Sequence, residues 1–422
     1  MRNSEENQTT VSCKLNAKLY KEKLMMSKLA HVVIGGGVIG CSIAYYLAKR
    51  GVKVILIEKR PGLCLGASGS NQGGCSFYYD NPDVDRIAVE SAKLFDSLSQ
   101  ELGYDVEYRP ERRLTCSINE EQSPYMKKRL QNLLSSGREA RLLEGDEIRK
   151  LEPAMGKDIV LGIEQETGVV NPFKLNYGFG YAAGKLGAEF LFATEIRSIE
   201  AEKGSIVSVV TDKGKIETNC VINAAGAWSA EIGEMVGLTI PIKPRRGQII
   251  VTEPVPFNKR WRRIADIDFS LIVFGGKDIE ESKDLRLRLG VAGAYYQDET
   301  GNWTIGSSQE FAGYDEKVTI QTLKQVAKRA VKFIPGLRDV NCIRMFAGLR
   351  PFCYVDGHPI ISKVDNPAGF FIAGGHSGHG IGLAPITGKL IAELVTENRT
   401  STSIDAFSFS RFKKQELKQT AV

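Results

Sequence analysis

An α/β fold is what the sequence predicts: a Rossmann-like dinucleotide-binding domain assembled from separated stretches, and a second domain on a mostly antiparallel sheet. Three observations carry this. Near the start, strand-forming residues run into a turn spaced G-x-G-x-x-G, and a helical pattern follows. Near the end, over 369–385, a second strand runs into glycines and then a helix. Between them, over 241–307, short strand-like runs follow one another in antiparallel order.

The first turn is the anchor. His31-Val32-Val33-Ile34 can form a strand, and Ile39, Ile43 and Leu47 repeat at helical spacing. Gly35 permits the sharp turn, Gly37 lets the backbone approach a pyrophosphate, and Gly40 lets the helix pack on the strand. The helix start at Val38 and Ile39 offers free N–H groups and a partial positive charge to phosphates. A second strand over 52–57 ends at Glu58, followed by Lys59. Glu58 lies 23 residues after Gly35, near the place about 20 residues on where a ribose-binding carboxylate belongs. Such an acid accepts bonds from ribose hydroxyls and repels a 2′-phosphate. The alternative is a tight turn without ligand and a solvated glutamate; the complete strand–turn–helix–strand–acid unit favours the nucleotide.

Composition narrows the class. A chain of 422 residues has room for two or three domains, and 42% apolar residues is ordinary for a globular protein. No apolar run reaches the roughly 18 residues of a transmembrane segment. A net charge of +6 without a dense Lys/Arg stripe gives no sign of nucleic-acid binding and allows a preference for anionic substrates. Eight cysteines are scattered and form no C-x-x-C, so neither a metal site nor an internal iron–sulfur cluster is expected; reduced thiols in a cytoplasmic setting are the plain reading. Residues 1–28 are polar and Lys-rich and lack the apolar core of a secretory signal; they read as a disordered extension, or the true start lies at Met25 or Met26.

After Glu58, residues 66–74 hold four glycines and two serines. Such a loop either wraps backbone amides around a flat or phosphorylated ligand or is a flexible surface loop. A helix is expected over 84–102, a short capped one over 143–152 before Pro153, and another after a turn at 167–172. A meander follows, with strands over 190–199, 205–211 and 215–218, then the buried-looking run 220–228 ending in small residues. In the second domain, strands are expected over 246–251, 270–274, 285–296 and 303–307, and a helix over 319–333. The last helix is expected over 385–395, with Pro385 at its first position, and the tail after 400 reads as loosely ordered.

Taken together, these stretches resemble the flavin-dependent D-amino-acid oxidase superfamily: glycine oxidase, the β subunits of sarcosine oxidase and of proline, hydroxyproline and opine dehydrogenases, and the flavin subunit of hydrogen cyanide synthase. The motifs are Gly35 to Gly40 with Glu58, the loop from Gly66 to Gly74, Asn223-Ala224-Ala225-Gly226-Ala227-Trp228, Arg246-Gly247-Gln248, Gly301-Asn302-Trp303-Thr304-Ile305-Gly306-Ser307-Ser308, Gly348-Leu349-Arg350-Pro351 with Asp356-Gly357-His358-Pro359, and Gly378-His379-Gly380. Each is degenerate alone; their joint order over roughly 30–400 is specific. The resemblance implies FAD, held by Gly35, Gly37, Val38, Ile39, Gly40, Glu58 and Lys59, by Ser68, Asn71, Gln72 and Gly73, by Ile196, Ala225 and Gly226, and by Gly378, His379, Gly380 and Ile381. It implies an FAD-binding domain from 29–90, 165–240 and 345–405, a substrate domain from 91–164 and 241–344, and a tail over 406–422.

The chemistry the resemblance implies is hydride transfer from the carbon next to nitrogen of a small amino or imino acid to the flavin, leaving an imine that water hydrolyses. A substrate clamp then matters more than a general base. Arg350 matches the arginine of the Gly-Leu-Arg-Pro motif, which holds the substrate carboxylate; the alternative is an internal salt bridge. The segment from Phe352 to Val355 is one residue longer than the family pattern. Tyr295 and Tyr296 share a strand, so one can face the site and the other the core. Cys353 lies near the cysteine that anchors flavin in some sarcosine oxidases but out of register with it, and a buried thiol is the commoner case. His376 and His379 read as bases or as loop-holding and flavin-contacting groups, His31 as a packed or edge residue, and Lys243, Arg245 and Arg246 as a solvated basic face. A 2-hydroxy-acid oxidoreductase on the same fold and a catalytically silent flavin-binding subunit are the competing functions. Redox partner subunits carrying further cofactors are compatible with the resemblance, including one at a membrane surface.

Overall fold

Three sheets organise the chain among the residues that the computed structural model describes, 29–256, 258, 260–268 and 282–412. The extension 1–28, the strand expected over 270–274 and the last ten residues lie outside them.

The first sheet grows from the glycine turn. β1 (His31–Ile34) runs through that turn into α1 (Val38–Lys49) and returns as β2 (Val54–Ile57). The sheet order is β17-β18-β11-β1-β2-β7, with β7 (Glu189–Leu191), β11 (Val221–Asn223), β17 (Ile360–Lys363) and β18 (Phe370–Gly374). All pairs are parallel except the edge strand β17. Residues far apart in sequence thus become neighbours: Val33 pairs with Ile222, which pairs with Phe371. Parallel strands buried on both faces need continuous apolar runs, and β1, β11 and β18 supply them.

One face of this sheet packs on α1 and on α2 (Pro82–Leu102), α5 (Pro172–Lys185) and α9 (Gly380–Glu397). The other face carries the meander β8 (Ile196–Glu202), β9 (Ser205–Thr211) and β10 (Gly214–Glu217).

The large sheet has the order β16-β12-β15-β14-β13-β4-β6-β3, with β5 also on β6. Its strands are β3 (Gly74–Cys75), β4 (Arg109–Ser117), β5 (Ala140–Glu144), β6 (Leu161–Val169), β12 (Ile242–Pro254), β13 (Arg263–Asp266), β14 (Ala294–Gln297), β15 (Asn302–Gly306) and β16 (Cys342–Cys353). It is mostly antiparallel; β13 and β4 are parallel. α8 (Ile320–Phe333) covers its back over Trp261, Tyr295 and Trp303. The short α3 (Ser123–Ser135), α4 (Gly145–Leu151), α6 (Ser229–Glu234) and α7 (Leu285–Arg288) complete the chain.

Several expected bounds shift. β16 stays in the large sheet to Cys353, so the boundary expected at 345 falls inside a strand. Residues 285–296 are not one strand. The Asp284 side chain accepts from the Arg286 amide and starts α7, Gly290 (φ +57°) ends the turn, and β14 begins only at Ala294. α9 starts at Gly380 and carries Pro385 in its interior. The chain beyond 400 is pinned as far as Phe412: Phe407 and Phe412 are buried, and Arg411 pairs with Asp356 at 2.7 Å.

Candidate active site

Two helix N-termini and one wall of the large sheet enclose a cleft of about 750 Å³. The first N-terminus is that of α1. Gly35 has φ +111°, and a Cβ there would lie 2.5 Å from the Ala224 carbonyl oxygen. A Cβ on Gly40 would lie 1.9 Å from the Gly35 carbonyl. Both contacts are with backbone, so only glycine fits the corner. Glu58 closes it: its carboxylate accepts from the Gly36 amide at 2.6 Å and the Arg60 amide at 2.7 Å. Ser68 Oγ accepts from the Val38 amide at 2.9 Å. The N-cap residue Gly37 supplies no side-chain cap, which leaves first-turn amides for a ligand.

The glycine-rich loop is a brace rather than a flexible connector. Asn71 Oδ1 accepts from the Gly73 amide, and its Nδ2 donates to the Ala67 carbonyl. Gln72 Nε2 donates to the carbonyls of Ala294 and Thr304 at 2.7 and 2.8 Å, tying the loop to two strands of the large sheet.

The second N-terminus is that of α9, entered from β18 through Gly375 (φ +73°) and Ser377 (φ +51°). The Ser377 amide donates to the Pro351 carbonyl at 2.8 Å, which fastens this loop to β16. His376 Nε2 meets Thr387 Oγ1 at 3.1 Å inside α9. His379 caps α9 without a side-chain bond; its ring meets the Tyr79 ring edge-on at 4.6 Å, and its Nε2 has no partner. Burial takes His376 down to about 3, and burial with the Arg350 and Arg113 charges takes His379 down to about 4, so both are neutral at physiological pH.

Arg350 projects from β16. Its Nη1 donates to the Ser308 carbonyl at 3.1 Å and its Nη2 to Ser307 Oγ at 2.6 Å. Both acceptors are neutral, and no carboxylate pairs with it among the described residues. Burial alone lowers it to about 10, so it stays cationic. Room for the guanidinium comes from the opposite strand. Gly247 pairs with Gly348 across β12–β16, and a Cβ on Gly247 would lie 2.0 Å from Arg350 Nη1. A Cβ on Gly348 would lie 2.4 Å from Ser70 Cβ. The Arg-Gly-Gln and Gly-Leu-Arg-Pro motifs are therefore two halves of one seat.

A family model described as FAD dependent oxidoreductase, abbreviated DAO, matches residues 31–394. The chain belongs to this family. Hydrogen cyanide synthase subunit HcnC of Pseudomonas aeruginosa is 29% identical, over 91% of this chain and 96% of its own length. Glycine oxidase of Geobacillus kaustophilus is 27% identical, over 90% and 96%. Among solved structures, L-proline dehydrogenase of P. horikoshii superposes with a TM-score of 0.80 at 27% identity, covering 93% of this chain and 100% of that one.

As a member of an FAD-dependent family, the protein must hold an extended dinucleotide, and the cleft fits one. Its wall takes in Glu58 and Ile196, the bare backbone of Gly37 with the open first turn of α1, Ser68, Ser70, Asn71 and Gln72, and the first turn of α9. Uncapped helix N-termini suit a pyrophosphate at the first corner and the electron-rich edge of a flavin at the second.

The cleft wall of this FAD-dependent oxidoreductase contains Gly35, Gly37, Val38, Ile39, Glu58, Lys59, Ser68, Asn71, Gln72, Ile196, Ala225, Gly226, Arg350, Gly378, His379, Gly380 and Ile381. Four expected residues stand outside it. Gly40 packs on Gly35, and Gly73 packs on the Val170 carbonyl. Strand alternation turns Tyr295 into the core against Phe333, 5.4 Å between ring centres, while Ala294 faces the cleft. Tyr296 lies against Arg263, whose guanidinium sits 4.5 Å from its ring centre.

Three further expectations are corrected or closed. Arg245 and Arg246 are buried, and Arg246 pairs with Glu310 at 3.1 Å and Asp315 at 2.7 Å, so they do not form a solvated face. Cys353 lies outside the cleft wall; its Sγ donates to Asp356 at 3.2 Å, and burial first, then Asp356, pushes its thiol up to about 12. His31 is half-buried at the start of β1. Sequence reasoning missed Arg113 and Arg263, and quoted Ser307 within a motif without giving it a role; all three are on the cleft wall. The first two sit in strands with too few apolar positions to show alternation.

Proposed function

We propose that this chain oxidises the C–N bond of a small amino or imino acid, binding the substrate carboxylate on Arg350. The observation that carries the reading is that buried guanidinium. Its two neutral partners fix its plane and leave its charge unanswered, and an unpaired buried cation is costly unless a ligand anion completes it. Bound FAD supplies the hydride acceptor.

The chain's own residues do the rest. Arg350 positions the carboxylate and thereby fixes where the adjacent C–N bond lies. Gly247 keeps the clamp free of a side chain. The α9 N-terminus places a positive dipole end where negative charge develops, and neutral His379 adds no competing cation. Ile249, Leu349 and Ile381 give the wall apolar surface that excludes water.

Electrons then pass to dioxygen or to a redox partner. A relative named as a subunit supports the second route, and the absence of a disulfide among the seven cysteines of the described residues supports a reducing, cytoplasmic setting. No helix of the described residues is long and apolar enough to cross a membrane. The test is anaerobic bleaching of the yellow holoenzyme by amino, imino and 2-hydroxy acids, followed by admission of air. Bleaching by amines supports the reading; bleaching by hydroxy acids alone, or by nothing, overturns it.

A further inference from the structure

A second cationic site shares the cleft wall with Arg350. Arg113 of β4 and Arg263 of β13 are register partners on adjacent parallel strands, and both line the cleft. Like charges directly across a sheet repel. Arg263 has partial compensation: Nη2 donates to the Gln72 carbonyl at 3.3 Å, and Glu111 comes no closer than 3.9 Å while also serving Arg262. Arg113 has none. Its side chain makes no hydrogen bond or ion pair among the described residues, and its Nε is buried without a partner. Burial, then Arg129 and Arg263, pull it down to about 9, which still leaves it cationic at neutral pH.

Asp80, an acid on the same cleft wall, is already committed. Asp80 holds Arg129 at 3.0 and 3.2 Å and also accepts from the hydroxyls of Tyr78 and Tyr125. The pair stands on the large sheet, as Arg350 does, not at the α1 corner that suits the pyrophosphate. From β16 to β13 is four strand steps and to β4 five, roughly 19 and 24 Å across the strands at about 4.8 Å per step, and the two sets of side chains close part of that span. Both charges act on His379, which Arg350 and Arg113 each depress.

We propose that Arg113 and Arg263 form a second anion subsite, so that the substrate is a dianionic amino or imino acid with one carboxylate on Arg350 and a second acidic group on this pair. The proposal rests on the amino-acid reading of the cleft and adds its substrate class. A second carboxylate answers the lone charge of Arg113 and relieves its repulsion with Arg263. A monocarboxylic substrate leaves both in place.

Matched ligand pairs test it on the holoenzyme. Adipate and hexanoate differ only in the terminal group, as do 2-aminoadipate and norleucine, each offered as both enantiomers. Calorimetric titration should show adipate binding at least about tenfold tighter than hexanoate, and Arg113→Gln should erase most of that ratio, a roughly ten- to hundredfold loss for one charge-assisted contact. Arg113→Lys should restore part of it. Unliganded Arg113→Gln should melt at or above the wild-type temperature, because a repulsion is removed; Arg263→Gln provides a second variant if the first does not fold.

In anaerobic bleaching, 2-aminoadipate should outpace norleucine by a similar factor. Equal binding of adipate and hexanoate by the wild type overturns the subsite, and bleaching by norleucine in the same preparation then shows that amine oxidation survives. Tight, Arg113-dependent adipate binding with no bleaching by any amine supports the subsite and removes the oxidation reading.

Discussion

Replacing Gly247 by alanine tests whether the clamp depends on a vacant position on the neighbouring strand. The added methyl would lie 2.0 Å from Arg350 Nη1 and 2.5 Å from Cζ and Nη2. Carbon and nitrogen do not approach closer than about 3 Å, so one side must yield by about 1 Å. The backbone is the stiffer side, because Gly247 pairs with Gly348 within a long run of paired residues from Ile242 to Val251. The guanidinium therefore moves, losing its bonds to Ser307 and Ser308. A displacement of that size at a positioning group costs on the order of 100-fold in rate. The methyl is remote from the α1 corner, so FAD affinity should stay within about twofold of wild type. The assay is kcat/KM by anaerobic flavin reduction, with FAD dissociation measured by fluorescence on the same sample. A kcat/KM within about threefold of wild type would refute the reasoning, because it would mean that Arg350 is not held in a fixed seat.

Other expectations follow from the same geometry. Arg350→Ala should raise KM by roughly 100-fold or more while leaving the protein yellow, and unchanged kinetics would reject the clamp. Carboxylate affinity should hold at neutral pH and fall as pH rises through about 10, where Arg350 loses its proton; titrating a non-reacting carboxylate across that range checks it. His376 and His379 are held neutral, down to about 3 and 4 from 6.5. The unfolded chain thus takes up their protons first, so stability is full above 6.5 and declines as pH falls toward 4; melting temperatures across that window, in wild type and His376→Gln, test the sign. Gly40→Ala places a methyl 1.9 Å from a backbone oxygen and should lower both melting temperature and FAD content; a stable, fully yellow variant would contradict the corner's geometry.

How much of this was legible in the sequence follows from how local each signal is. The α1 corner was readable because its glycines act on contacts within a few residues, Gly40 against Gly35 above all. The three-strand meander was readable from alternation and from its second reversal at Gly214. Residues 285–296 misled because Leu285, Leu287 and Leu289 alternate like a strand, while the Asp284 cap and Gly290 decide for a helical turn. The start of α9 was placed late because Pro385 favours a first position, yet the glycines before it already adopt the helix.

The site itself divides along the same line. Arg350 could be picked out because its motif is contiguous, but the reason it works is not contiguous at all. Its seat requires Gly247 on another strand, Ser307 just past the end of β15, and the Gln72 brace that fastens the cofactor loop to β14 and β15. Arg113 and Arg263 lie 150 positions apart and become one feature only when β4 pairs with β13. No periodicity within either segment announces that juxtaposition. Turn chemistry is thus written where it acts, whereas charge placed across a sheet depends on strand order. Specificity in this cleft is set by strand order, which is why the arginine pair was invisible until the register was known.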